Sequence, residues 1–284
     1  MRSIPVFYTD KMVADSGCES PSAEKPKAVV ASWLEKFPID VREPEPVKEH
    51  ELARAHDKEF VRAILACERP NGFGNKSKAV AAALPYTSGA MLSAAREAIR
   101  SGGAACAPCS GFHHAGHERA EGFCTFNGLM VAALALRDSG ISRVGILDLD
   151  MHYGNGTDNI IRKLMCEGWI WHFTAGARYT MASQATEFLT LKLPEVLVAM
   201  GSCEVVLYQA GADPHVDDPY GGWLTTEQLK ARDATVFEVL SSAGVPVAWN
   251  LAGGYQRDAD GGIRKVLDIH DNTMRECVRV FGRP

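Results

Sequence analysis

The sequence predicts an α/β fold, a single domain built on a mostly parallel sheet. Short apolar runs alternate along the chain with longer segments of helical periodicity, the pattern of strands joined by crossover helices. Several of the short runs are apolar nearly throughout, as strands buried on both faces of a parallel sheet must be. No internal repeat or long linker divides the 284 residues, a length that α/β folds often use for one domain, so residues 1–284 are read as one unit.

In chain order the strands are predicted at Ile4–Tyr8, Ile39–Arg42, Ala104–Ala107, Val144–Leu149, Ile170–Phe173, Val205–Gln209 and Val245–Leu251. The helices are predicted at Lys25–Lys36, Lys58–Cys67, Ser88–Arg100, Phe126–Arg137, Thr157–Met165, Ala185–Ala199, Thr226–Ser242 and Ile263–Phe281. Thr225 followed three residues later by Gln228 reads as a capping box opening one of them. The last helix carries apolar residues at helical spacing and should pack on the core.

Composition narrows the function. With 46% hydrophobic and 23% charged residues the chain can build a real core, which excludes a disordered protein. Thirty basic against 35 acidic residues give a net charge of −5, which argues against gripping nucleic acid. The longest apolar run, Leu129 to Leu136, is far shorter than the ~18 residues of a membrane span. The opening MRSIPVFYTDK has no apolar signal-peptide region, so a soluble, cytoplasmic protein is expected. Cysteines 18, 67, 106, 109, 124, 166, 203 and 277 are scattered, which fits reduced thiols.

In a parallel sheet, ligands bind beyond the carboxyl ends of the strands. Four predicted strand ends carry unusual polar groups there. One leads to His113, His114 and His117; a second runs through Asp148, Asp150, His152 and Asn155; a third leads to Asp213 and His215; the fourth reaches Tyr255 after two glycines. Side chains alternate along extended backbone, so Asp148, Asp150 and His152 point to one side. An Asp-x-His pair with one further carboxylate gives a metal three ligands and leaves a position for water, a set that suits zinc or ferrous iron. The His113–His114 doublet would then supply a general base and an electrostatic partner.

The segments GFHHAGHERAEGFCTFNG, GILDLDMHYGNGT, YQAGADPHVDDPYGG and NLAGGYQ resemble, in order and spacing, the motifs of the histone deacetylase superfamily. SPSAEKPKAV and HDKEFV look like that family's N-terminal motifs, so the resemblance runs from about Phe7 to Phe281. It implies an arginase–deacetylase three-layer α/β/α sandwich, most similar to a compact bacterial branch related to class IV deacetylases. Carried over position by position, it implies Asp150, His152 and Asp213 as metal ligands and His113 and His114 as the tandem pair, His114 the base. Asp148 would orient His113, Tyr255 would donate to the oxyanion, Phe123 would wall an acyl-lysine tunnel, and the Gly122 carbonyl would accept the scissile N–H. Zinc is the metal implied, with iron(II) able to use the same ligands and a structural monovalent cation left open. The substrate implied is an acylated amine or acyl-lysine; neither nucleic acid nor membrane is expected as a partner, and the oligomeric state stays open.

The chain departs from the pattern in places. Asn155 stands where many members pair an Asp with the base, and Tyr153 replaces a frequent second His. The segment after His172 matches poorly, leaving Tyr179 as the candidate for a second tunnel aromatic. The loop Glu68–Lys78 holds no Asp, which members acting on peptides often use to grip substrate, so protein substrates are disfavoured. Cys106 and Cys109 form a C-x-x-C without a second pair, and packing is the reading taken over a redox role. Cys124 is read as packing, His117 as a loop residue and His215 as a rim residue. Two rivals stand beside a metal-dependent deacylase: a ureohydrolase on the same fold, and a non-catalytic binding protein on a deacylase scaffold.

Overall fold

The computed structural model describes residues 2–282. Seven strands, β1 (Ile4–Phe7), β2 (Ile39–Arg42), β3 (Ala104–Ala107), β4 (Val144–Asp148), β5 (Ile170–Thr174), β6 (Val205–Gln209) and β7 (Val247–Asn250), form one sheet in the order β2-β1-β3-β7-β6-β4-β5. Every pairing is parallel, with register set by partners such as Cys106 with Trp249 and Ile146 with Leu207.

Alternation along the strands explains their apolar runs. Ala105, Val144, Ile146, Val205, Leu207 and Ala248 face one hydrophobic layer. Ala104, Cys106, Leu147, Val206, Val247 and Trp249 face the other. The first layer is closed by helices α3 (Lys58–Leu65), α4 (Lys78–Ser101) and α5 (Gly128–Asp138), preceded in the chain by α1 (Lys25–Lys36) and the short α2 (Glu49–Leu52). Helix α6 (Asn155–Lys163) follows β4. The second layer is closed by α1, α8 (Leu193–Met200), α9 (Thr226–Ser242) and α10 (Arg264–Phe281), with a short α7 (Ala185–Glu187) before α8. The result is a three-layer α/β/α sandwich.

The short α2 is absent from the sequence reading, and two longer helices differ from it in extent. Helix α4 starts at Lys78 rather than Ser88, because it runs through Pro85. The proline forfeits one ladder bond, but Val80, Ala81, Ala83 and Leu84 in the added stretch are buried. The stretch predicted as one helix over Ala185–Ala199 is broken by a π-helical turn at Phe188–Lys192, directly before Pro194 at the start of α8. Proline lacks the N–H that an unbroken α ladder would need there. Thr225 caps α9 with the predicted reciprocal bonds to Gln228.

All eight cysteines are free thiols. Burial pushes the Cys106 and Cys109 thiols far up, which keeps both protonated. Among the described residues no helix is long and apolar enough to cross a membrane.

Candidate active site

Strands β3, β7, β6 and β4 are adjacent in the middle of the sheet, and their carboxyl ends bring the polar residues of the sequence reading into one crevice. After β3 the chain passes through Gly111 (φ 85°) and Phe112 (φ 92°). This turn sets the His113 and His114 rings 4.0 Å apart, tilted by 47° to each other. The α6 N-terminus presses on their backbone: Thr157 N–H donates to the His113 carbonyl at 3.0 Å, and a Cβ on Gly156 would lie 2.5 Å from the Ala115 oxygen.

The two imidazoles have opposite surroundings. His113 is buried, with Nδ1 2.8 Å from Asp148 Oδ2 and Nε2 3.6 Å from Asp150 Oδ1. Burial alone would lower its pKa, but the Asp148 and Asp150 charges outweigh it and hold the ring up at about 9. His114 Nδ1 meets an amide oxygen, Asn155 Oδ1, at 2.7 Å. Burial, then the neighbouring His113, lowers its pKa below the ordinary 6.5. Two titratable groups driven apart in this way are the usual mark of separate acid and base roles.

Asp150, His152 and Asp213 each offer one donor atom, all within 4.8 Å of one another. His152 Nδ1 lies 3.3 Å from Asp150 Oδ1 and 3.0 Å from Asp213 Oδ2. Backbone groups aim the carboxylates: Gly253 N–H donates to Asp150 Oδ2 at 2.8 Å and Met151 N–H to Asp213 Oδ1 at 3.3 Å. Burial, then the facing Asp150, pushes Asp213 up to about 7. Two buried carboxylates converging on one imidazole, an O,N,O set, fit a divalent cation, whose charge would relieve that repulsion.

Two buried cations, neither singled out by the sequence reading, brace these loops. Lys25 of α1 donates to the carbonyls of Ala252 (2.8 Å) and Gly253 (3.0 Å), the turn that leads to Tyr255. Arg232 of α9 donates to the carbonyls of Leu149 (3.1 Å) and Gly211 (2.8 Å), next to the two aspartate ligand candidates. Asp233 anchors the same guanidinium at 2.8 Å.

Tyr255 sits where the glycine turn delivers it. Its N–H donates to Asp218 Oδ2 at 2.8 Å. Its ring lies 5.6 Å from Phe123 and 4.8 Å, edge-on, from Tyr220. Burial, then the Asp213 and Asp150 charges, keeps the phenol protonated, which a hydrogen-bond donor requires.

A histone deacetylase domain model matches residues 21–165, just over half of the chain. The chain belongs to the histone deacetylase family. Residues shared with histone deacetylase 2 of Arabidopsis thaliana reach 32% identity over 58% of this chain and 47% of that protein. An acetylpolyamine amidohydrolase of Mycoplana ramosa is 30% identical over 50% of this chain and 49% of its own. The chain thus spans about half the length of these two curated relatives. In fold it is similar to the HDA15 HD domain, with TM-score 0.77 and 18% identity over 98% of this chain and 90% of that one. It is also similar to an acetylpolyamine aminohydrolase from Burkholderia pseudomallei, with TM-score 0.73 and 18% identity over 98% and 99% of the two chains. These likenesses establish the arginase–deacetylase fold expected from the sequence.

In this member of the family the rim of the crevice is aromatic. Gly122 (φ 55°) and Phe123 (φ 62°) form a left-handed turn, and a Cβ on Gly122 would lie 2.5 Å from His114 Cδ2. Only glycine lets the loop come so close to the ring. Phe73 and Tyr220 stand beside Phe123, at 5.9 and 6.2 Å. Tyr179 stacks instead against Phe188 and Trp223, away from that cluster. The ring facing Phe123 and Tyr255 is therefore Tyr220, which the DPYGG turn could have signalled as an aromatic a few residues after Asp213. Behind Phe123 and Cys124 lies an apolar cavity of about 50 Å³, also lined by Met12, Leu84, Phe112 and Phe126. His117 Nδ1 is held by the Ala55 carbonyl and His215 Nε2 by Thr226 Oγ1, outside the triad. Tyr153 and His172 share the Asp158 carboxylate.

Proposed function

We propose that this chain is a metal-dependent amidohydrolase of one catalytic domain that removes an acyl group from an amine. One observation carries the reading. An O,N,O donor triad, an imidazole bonded to a carboxylate, an imidazole bonded to an amide and a phenol gather at one crevice from four adjacent strands. Metal-assisted hydrolysis of an unactivated amide can use each of these, whereas ligand binding alone does not need a base and an oxyanion donor together.

Asp150, His152 and Asp213 would hold the metal, zinc by the donor set with iron(II) second, and a bound divalent cation polarises a carbonyl and lowers the pKa of water. The rest is done by the chain's own groups. Neutral His114 takes a proton from the attacking water at Nε2 and returns it to the leaving amine. His113, held cationic by Asp148, and the Tyr255 hydroxyl favour the oxygen on which negative charge develops. Phe123, Tyr220 and Phe73 would clasp an alkyl stem, and the Gly122 carbonyl would accept the scissile N–H.

The substrate class is an N-acyl-lysine or a small acylated amine. The loop Glu68–Lys78 supports the smaller substrate: Asn71 and Asn75 bond to each other across it at 2.9 Å, and it presents no carboxylate of Asp type to grip a peptide backbone. The ureohydrolase reading is weaker, because a dinuclear site needs further clustered ligands, and among the described residues the triad is the one such group.

Elemental analysis combined with an acetyl-lysine and acetylpolyamine substrate panel tests the reading. Near-stoichiometric metal, lost together with turnover in Asp213→Ala, is expected. Full turnover by chelator-stripped protein would overturn it.

A further inference from the structure

The base His114 rests on an amide, not a carboxylate, and an amide has two faces. Asn155 can offer Oδ1, which accepts a proton on His114 Nδ1, or Nδ2, which would donate to it. The second arrangement leaves the ring proton on Nε2, where it blocks the very nitrogen that must accept a proton. Asn155 Nδ2 lies 2.6 Å from Glu121 Oε1. An ionised carboxylate can only accept, so Nδ2 must face Glu121 and Oδ1 must face His114.

From this geometry we propose that Glu121 is a positioning residue: it locks the Asn155 amide and, through it, holds His114 in the Nδ1–H tautomer. The proposal rests on the base assignment of His114 made above and extends the machinery by one residue.

The surroundings of Glu121 suit that task. Its backbone closes a tight turn with Cys124, the two N–H···O bonds measuring 3.0 and 2.9 Å. The side chain is thereby tethered to the Gly122–Phe123 turn. Arg119 Nε donates to the same Oε1 at 3.2 Å, so this oxygen accepts from two donors, the guanidinium and the Asn155 amide. The Glu121 side chain is 43% exposed, so solvent screens its charge, and direct electrostatic support of the His114 cation is small. Orientation of the amide, not long-range attraction, is the effect that wins. The stakes of the wrong tautomer are known in kind: an amide replacing the carboxylate that orients a catalytic histidine costs about 10⁴-fold in kcat in the serine-protease triad.

The test combines kinetics with a direct view of the ring. In Glu121→Ala the amide is free to turn, and kcat should fall about 10–100-fold, with KM within about threefold of the parent, because the fraction of correct tautomer acts on the chemical step. Glu121→Gln, which keeps the shape and can hold the amide either way round, should lie between. The charge-relocated pair Asn155→Asp with Glu121→Gln presents an acceptor-only group to His114, and kcat should return to within about fivefold of the parent. Long-range ¹H–¹⁵N spectra of ¹⁵N-histidine-labelled, zinc-loaded protein, with the His114 signals assigned through His114→Ala, should show an Nδ1–H ring in the parent and a mixture in Glu121→Ala. An unchanged tautomer in Glu121→Ala, or a kcat within threefold of the parent, would overturn the proposal. Full activity in His114→Ala would instead overturn the base assignment, and the spectra alone would then decide whether Glu121 sets the tautomer.

Discussion

Removing one oxygen atom from Tyr255 separates chemistry from packing. The ring is held by Phe123 at 5.6 Å and Tyr220 at 4.8 Å, and the backbone by Asp218 at 2.8 Å. None of these contacts uses the hydroxyl. Tyr255→Phe therefore keeps the ring contacts and forfeits no described hydrogen bond, so stability should stay within about 0.5 kcal/mol of the parent. The hydroxyl is needed only when an oxygen beside it gains charge. Loss of one such donor costs about 10²–10³-fold in kcat, which converts to about 2.7–4 kcal/mol of barrier. An interaction made only in the transition state should leave KM nearly unchanged. Steady-state kinetics on an acetylated amine, with metal content and thermal melting on the same preparation, give the answer. A kcat within about threefold of the parent would refute the oxyanion role, and a parallel loss of folded protein would assign Tyr255 to packing.

Three further outcomes are expected. Because His114 must be neutral to act, activity is retained above its pKa and lost as pH falls through it; that pKa is lowered, so the acidic limb of kcat/KM should lie below 6.5, and a limb above 7 would contradict the assignment. Gly122→Ala should cut kcat by at least about tenfold, since the new methyl meets His114 Cδ2 at 2.5 Å and must displace the ring; unchanged kinetics would show that the loop yields instead. Lys25→Met unpins the Ala252 and Gly253 carbonyls. At about 1.5–3 kcal/mol per bond to a charged donor, less the cost of burying an ammonium, melting should drop by only a few degrees while kcat falls more than KM changes; calorimetry beside kinetics checks this, and an unaltered kcat would deny Lys25 any part in shaping the turn.

The reach of the sequence follows the range of the interactions. The inner strands declared themselves because they bury both faces, so Val144, Ile146 and Leu147 could be nothing but apolar. The polar residues at the strand ends stood out against that background, and the architecture of parallel sheets says where such ends meet. Lys25 was invisible because its partner lies 227 residues away in the chain, and a lysine early in a helix ordinarily points to solvent. Arg232 hides for the same reason on α9, 83 residues from Leu149. Glu121 was read as one letter within a family motif, and its meaning appears only beside Asn155. Tyr179 drew attention because the loop was searched by order in the chain, while the ring found beside Phe123 and Tyr255 is Tyr220, from a turn forty-one residues later.

The position of β7 has a consequence for how the chain is made. It is the last strand in the chain and lies between β3 and β6, near the middle of the sheet. Until residues 247–250 leave the ribosome, β3 and β6 each present a bare parallel edge to the other across a gap one strand wide. Such edges invite pairing with foreign strands. The crevice does not exist in that interval, since Tyr255 and the Gly253 amide that aims Asp150 come after β7. The proposed metal site would thus be completed late, and a cation binding the finished crevice would reward only chains whose central gap has closed.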